Sequence, residues 1–276
     1  MIVRPALAGA IGRRGRLGGV STEAWLATAL LLVVWFAVSR LWLPPLLLPG
    51  PVEVARQLGS ILSSPELLLN AGATFARVLA GLAGSFVLGA VIGTLMGSAP
   101  RLAGYLSTYL SFVQGIPSLC WVVIAIIWFR SPEFRVWFIV VMVTLPGFTF
   151  QIHDGYRSIP RDLKEMVRSL RPGRWQYFTH LTVPALIPPV LTIWKINLGG
   201  ATHVVLVAEL VGASLGIGYQ LLSAEQLFNM AQVLAWTVVL IAFVFVTVRI
   251  VGLIESRLLR WRPDDAGGKA ARGAVQ

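Results

Sequence analysis

The residue types most able to do chemistry form few constellations in this chain. Gly212-Ala213-Ser214-Leu215-Gly216 matches G-x-S-x-G, the spacing that lifts a serine hydroxyl out for acyl transfer. That use needs a strand-to-helix turn and a general base. Here the pattern ends an apolar run, and His203 would have to approach from the same run. His153, His180 and His203 lie in separate segments without the spacing of a metal site, so neither a catalytic group nor a metal ligand set is assigned. Gly267-Gly268-Lys269 lacks both the spacing and the following hydroxyl of a phosphate-cradling loop. Lys195 is the remaining candidate. An ionisable group within an apolar run is costly and often functional, and a cation there suits an anionic or oxygen-rich solute. So close to Pro189, it is equally placed to snorkel to the membrane surface.

The elements that must position these residues read as membrane helices. Of 276 residues, 56% are hydrophobic and 13% charged, with ten Trp, which suits a polytopic membrane protein. A net charge of +11 invites nucleic acid, but Lys and Arg cluster in short segments between apolar runs and build no continuous basic face, so that partner is set aside. Cys120 is the single cysteine, and no intrachain disulfide can form. The apolar runs predict six helices, near 25–43, 78–96, 106–129, 136–151, 184–211 and 235–253. Arg13-Arg14 ahead of the first run resembles a twin-arginine signal, yet Ala37-Val38-Ser39 is a weak cleavage site and the run is long, so a retained helix is expected. Residues 1–22 and 263–276 read as basic disordered tails around a single domain over 23–262.

Within that domain two patterns are specific. Gly81, Ser85, Gly89, Gly93 and Gly97 recur every four residues, lining one helix face for close packing. Gly115-Ile116-Pro117 interrupts the third helix and should kink it, making Gln114, Ser118 and Trp121 candidates, with Lys195, for lining a translocation path.

The segment over 159–183 differs from everything around it. Leu163, Met166, Val167 and Leu170 stand at i, i+3, i+4 and i+7, one apolar stripe on a helix of about three turns. Arg161, Lys164, Arg168 and Arg171 fall outside the stripe, and Pro172-Gly173 ends it. Such a helix is too short and too charged to cross a bilayer. It either lies on anionic headgroups or docks a soluble partner, and periodicity does not separate the two.

Glu165, Arg168, Ser169, Leu170, Arg174, Trp175, Tyr177, Val183, Pro184 and Ala185 resemble the cytoplasmic EAA motif of ABC-importer permeases, in the branch serving nitrate, sulfonate and taurine uptake. Met166 and Val167 replace the two small residues of that motif, and Arg171 stands where its glycine follows the Ser-Leu pair, with Gly173 displaced by two. The stretch LLLPGPVEVARQL is similar to the branch's short surface helix after the first crossing. Thr74, Arg77 and Gly81 resemble its Thr-x-x-Arg-x-x-x-Gly, and Ala208, Glu209, Gly212, Ala213, Gly216, Gly218 and Tyr219 its AE-x-x-GA and GxGY. The resemblance runs over about 48–262.

It implies an all-α, six-helix permease of the type I importer architecture, with a coupling loop at about 157–183 in which Asp162, Leu163, Glu165, Met166, Arg168, Ser169, Leu170 and Gly173 meet the ATPase. It further implies cytoplasmic ATPase subunits that carry ATP and magnesium, an extracytoplasmic solute-binding protein and a second permease subunit, in a homodimer that the small-residue face would permit. No cofactor is expected on this chain. With both termini inside, sixteen Lys and Arg fall in cytoplasmic segments and three outside, the bias expected of a bacterial inner-membrane protein. The alternative is an ion-gradient-driven secondary carrier, which would use acidic or histidine relays such as Glu209 and His203.

Overall fold

Helices run end to end because the chain alternates long apolar runs with Pro- and Gly-bearing breaks. The computed structural model describes residues 22–42, 44 and 46–259, so the two expected tails, Thr22 apart, lie outside the described residues. Within these, the order is α1 (Thr22–Leu41), α2 (Pro51–Ser63), α3 (Pro65–Ser98), α4 (Pro100–Gly115), α5 (Ser118–Trp128), α6 (Pro132–Ser158), α7 (Arg161–Ser169), α8 (Arg174–Tyr177), a π-helical turn (Phe178–Thr182), α9 (Val183–Gly212), α10 (Ile217–Gln226) and α11 (Met230–Leu258). No strand occurs among the described residues.

The centre of the molecule is α3 against α6. Every member of the four-residue repeat on α3 meets α6. A Cβ at Gly81 would lie 2.6 Å from Val140, at Gly89 2.7 Å from Phe148, at Gly93 2.7 Å from the Thr149 carbonyl and at Gly97 2.6 Å from Tyr156. Ser85 sits in the same row, its Oγ 2.8 Å from the Thr144 hydroxyl. Lipid gives apolar helices no reason to associate, so this close backbone approach supplies the attraction. The face is thereby consumed within the chain and is not free to join two subunits. Val78, Leu82, Val136, Val140 and Phe148 continue the core, to which α5 adds Trp121 and α9 adds Leu198, Ala201 and Val205. A second cluster gathers Val54 and Ile61 of α2, Ile217 of α10 and Trp236 of α11.

Several boundaries depart from the sequence reading. The second helix starts at Pro65, not near 78, because Ser64 accepts a hydrogen bond from the Leu67 amide and Pro65 supplies a preset first turn. The expected kink at Gly115-Ile116-Pro117 is a full break, and α4 and α5 meet at 92°. Ile116 and Pro117 both have extended ψ, as proline imposes on its predecessor, so the helix cannot pass through. The Gly-rich stretch between the expected helices 184–211 and 235–253 contains α10.

Four helices, α3, α6, the unit from Arg174 to Gly212 and α11, are long and apolar enough to cross a membrane, and the bent α4–α5 pair makes up to five. The apolar part of α1, Leu26–Leu41, is shorter, and Leu26, Leu30 and Leu31 on it are largely exposed.

Candidate functional site

The amphipathic segment forms α7 directly after the end of α6. Its first turn carries Asp162, the sign the helix dipole favours there. Lys164 ties it down: its Nζ donates to the Tyr156 carbonyl at 3.1 Å and lies 5.1 Å from the centre of the Tyr156 ring. The apolar stripe is left uncovered except at Val167, which is half-buried. Leu163, Met166 and Leu170 are 38%, 59% and 78% exposed, and no residue of α7 is buried. Ser169 donates to the Met166 carbonyl at 2.7 Å, and Glu165 makes no hydrogen bond or ion pair with any described residue. An anchored helix thus presents an apolar ridge flanked by unpaired charge.

The end of α7 explains one oddity of the sequence. Arg171 has φ 48°, the left-handed conformation in which helices commonly terminate and which glycine adopts most cheaply. The displaced Gly173 has φ −62° and needs no such freedom. It caps α8, its amide donating to the Gln176 side chain at 3.0 Å. The backbone therefore keeps the glycine-type turn at 171 although the glycine is absent. Left-handed backbone costs a non-glycine residue roughly 1–2 kcal/mol, and the freedom a glycine loses offsets about 0.5–1 kcal/mol. Arg171→Gly is expected to stabilise this turn by roughly 0.5–1 kcal/mol, slowing amide exchange over residues 169–174 about two- to fivefold in detergent. Faster exchange in the glycine variant would contradict the assignment.

At the other end of α6 a polar cluster is sealed in the interior. Glu209, near the end of α9, is fully buried and surrounded by donors: the Thr74 hydroxyl at 2.9 Å, the Arg77 guanidinium at 2.7 Å and the Gly218 amide at 2.9 Å. Arg77 also pairs with Glu133 at the start of α6 and donates to the Leu215 carbonyl at 2.7 Å. Thr74 accepts from the Ile217 amide at 2.7 Å, and Asn70 from the Gly216 amide at 2.8 Å. Gly216 has φ 125°, and a Cβ on it would lie 2.5 Å from the Glu209 carboxylate. One carboxylate and one guanidinium therefore staple the turn before α10 to α3, α6 and α9. The G-x-S-x-G pattern belongs to this staple. Ser214 is exposed and hydrogen-bonds no other described residue; Gly216 serves close approach to Glu209, whereas Gly212 lies against Arg135.

Of the residues proposed for a path, Gln114 is exposed and Ser118 half-buried on either side of the α4–α5 break. Trp121 is buried in the core against Phe138, ring centres 6.1 Å apart, its Nε1 without a hydrogen-bond partner among the described residues. Lys195 is elsewhere and forms an ion pair with Glu255 of α11. The structure does not gather these four at one point. The staple was visible only in fragments, since Thr74, Arg77 and Glu209 stand out individually but nothing in the spacing pairs α3 with α9.

Comparison with known proteins gives one family. Residues 85–260 match the model of the binding-protein-dependent transport system inner membrane component. The taurine transport system permease protein TauC of Escherichia coli is 26% identical over 240 residues, covering 84% of this chain and 87% of its own length. The nitrate import permease protein NrtB of Synechocystis is 26% identical over 247 residues, covering 84% of each chain. The putative aliphatic sulfonates permease SsuC of Bacillus subtilis is 27% identical over 238 residues, with 86% of each covered. Among solved structures, a chain of the inward-facing MetNI methionine ABC transporter superposes with TM-score 0.55 at 16% identity, covering 73% of this chain and all of its own. A chain of a bacterial ABC transporter importing the polysaccharide alginate superposes with TM-score 0.60 at 15% identity, covering 88% and 98%.

Proposed function

Since the chain belongs to the binding-protein-dependent transport system inner membrane components, permease subunits of ABC importers, we propose that α7 is the point at which ATP hydrolysis on a separate subunit is coupled to solute passage. The observation that carries this reading is the uncovered Leu163, Met166 and Leu170 ridge on a helix held to the end of α6 by Lys164. An apolar face of this kind gains by burial against a protein partner. Glu165, Asp162 and Arg168 flank the ridge as charges that would set the register, with Ser169 and Gly173 shaping the turn beyond.

In this reading α7 and both termini lie in the cytoplasm, as the charge bias favours, and α1 supplies the sixth crossing. The buried staple then lies towards the opposite face, where a solute-binding protein would deliver its cargo. The cargo is a small anionic or polar solute of the sulfonate, nitrate or taurine kind, by likeness to the relatives above. The chain binds neither ATP nor magnesium and catalyses nothing itself. A second permease subunit, a homodimeric copy, completes the path through a surface other than the α3 stripe. A shift of α7 passes along α6 to the bend and to the core around it, alternating access. Glu209 is unsuited to a proton relay, being sealed by Arg77, Thr74 and Gly218.

Gln114 and Ser118 mark the path at the α4–α5 break, with Trp121 behind them in the core, and Lys195, its side chain 29% exposed beside Glu255, meets the anion. Lys195→Met is expected to raise the KM for uptake about tenfold with little change in maximal rate. An unchanged KM would remove Lys195 from the path.

The test of the coupling reading is purification of the tagged chain in mild detergent, with ATP hydrolysis assayed on what accompanies it. A nucleotide-binding subunit should copurify with wild type and be lost or uncoupled in Glu165→Arg. A lone chain, with none captured by mild cross-linking, would overturn the coupling role.

A further inference from the structure

Between the end of α3, the end of α6, the last turn of α7 and the chain after it lies a cavity of about 660 Å³ that shares only Arg168 with the coupling role. Val91, Leu95 and Phe178 give it an apolar wall, and Arg168, Arg171 and Arg174 give it a basic rim; no Asp or Glu lines it. None of the three guanidiniums is in an ion pair among the described residues, and Arg168 only lies 5.8 Å from the centre of the Tyr177 ring. Val91 and Leu95, 56% and 49% exposed, stand on a membrane-crossing helix, so the apolar wall continues into the lipid-facing surface. Leu163, Met166 and Leu170 are not among the lining residues, which separates this cavity from the ridge offered to the ATPase.

The site asks for a ligand with two unlike ends. An isolated soluble anion would satisfy the arginines and leave the hydrocarbon wall wet. A neutral lipid would cover the wall and leave three unpaired cations. We infer that the cavity binds an anionic phospholipid, its phosphodiester at the Arg168, Arg171 and Arg174 rim and an acyl chain along Val91 and Leu95. The inference rests on the membrane-embedded placement of α3, and on neither the orientation nor the ATPase contact proposed above.

Full-length chain, delipidated in a neutral detergent, would be titrated with dioleoyl phosphatidylglycerol and dioleoyl phosphatidylcholine, and bound lipid counted by native mass spectrometry. Phosphatidylglycerol is expected to bind more tightly, losing about fivefold in affinity for each of Arg168→Gln, Arg171→Gln and Arg174→Gln. The triple variant should no longer distinguish the two lipids, and excess inorganic phosphate should displace neither. Val91→Trp with Leu95→Trp, which fills the wall and keeps every charge, should also weaken phosphatidylglycerol several-fold, so the inference stays testable if the triple variant folds poorly. Equal binding of both lipids to wild type, unchanged binding to either variant, or displacement by phosphate, which would mark a soluble-anion site, would each overturn it.

Discussion

Glu209→Ala is expected to cost the folded chain about 3–5 kcal/mol, the usual penalty for leaving the partner of a buried ion pair uncompensated. Arg77 is 94% shielded from solvent, and without Glu209 its one remaining charged partner among the described residues would be Glu133, whose side chain is 65% exposed. The Gly218 amide and the Thr74 hydroxyl lose an acceptor in the same step. α9 would lose its tie to Thr74 and Arg77 of α3 and to the Gly218 amide of α10, while the turn at 213–216 would keep only its direct bonds to Asn70, Thr74 and Arg77. The expected readings are a large fall in the thermal midpoint of the purified chain in detergent and poor accumulation in the membrane. Glu209→Gln, which keeps an oxygen for Thr74 and Gly218 but not the charge, should fall between. A double Arg77→Leu and Glu209→Leu variant should recover a good part of the loss, because removing both charges removes the desolvation problem. A loss under about 1 kcal/mol in Glu209→Ala would mean that water or a neighbouring group already compensates Arg77.

Leu163→Asp combined with Met166→Asp is expected to leave the chain intact and break its coupling. Neither side chain is buried in the chain, so its own thermal midpoint should barely move. In an interface, well-packed apolar anchors are worth about 2 kcal/mol or more each, so the double variant should weaken association with the ATPase about a thousandfold. Uptake should fall to background while the chain still reaches the membrane. Normal ATPase capture and normal uptake would show that the ridge lies on lipid headgroups, the other reading its periodicity allows.

What could be read in the sequence was whatever depends on local pattern. Of the six crossings the apolar runs predict, four are long apolar helices and a fifth is the bent α4–α5 pair, the first run being shorter; the i, i+3, i+4, i+7 stripe gave α7, and the four-residue spacing on α3 gave a packing face whose partner, α6, only the structure supplies. Pro117 announced a break but not its size, since a proline removes a hydrogen bond without fixing the angle at which the next helix leaves. The helix α10 was hidden because Gly-rich composition argues for loop, and it is held in place by long-range bonds from Asn70 and Thr74. The pairing of Arg77 with Glu209 joins residues 132 apart, and no periodicity reaches that far. Arg171 had the opposite problem: its residue type argues against the left-handed turn that its position requires.

The central claim, that this permease is driven by ATP through a partner subunit, is tested most directly by energisation. The complex purified on the tagged chain would be reconstituted into vesicles with its binding protein, and uptake of radiolabelled taurine, an alkanesulfonate and nitrate followed. The account predicts uptake of at least one of them that needs ATP on the face carrying α7 and persists when an uncoupler abolishes the ion gradient. Uptake that proceeds without ATP and collapses with the uncoupler would contradict it.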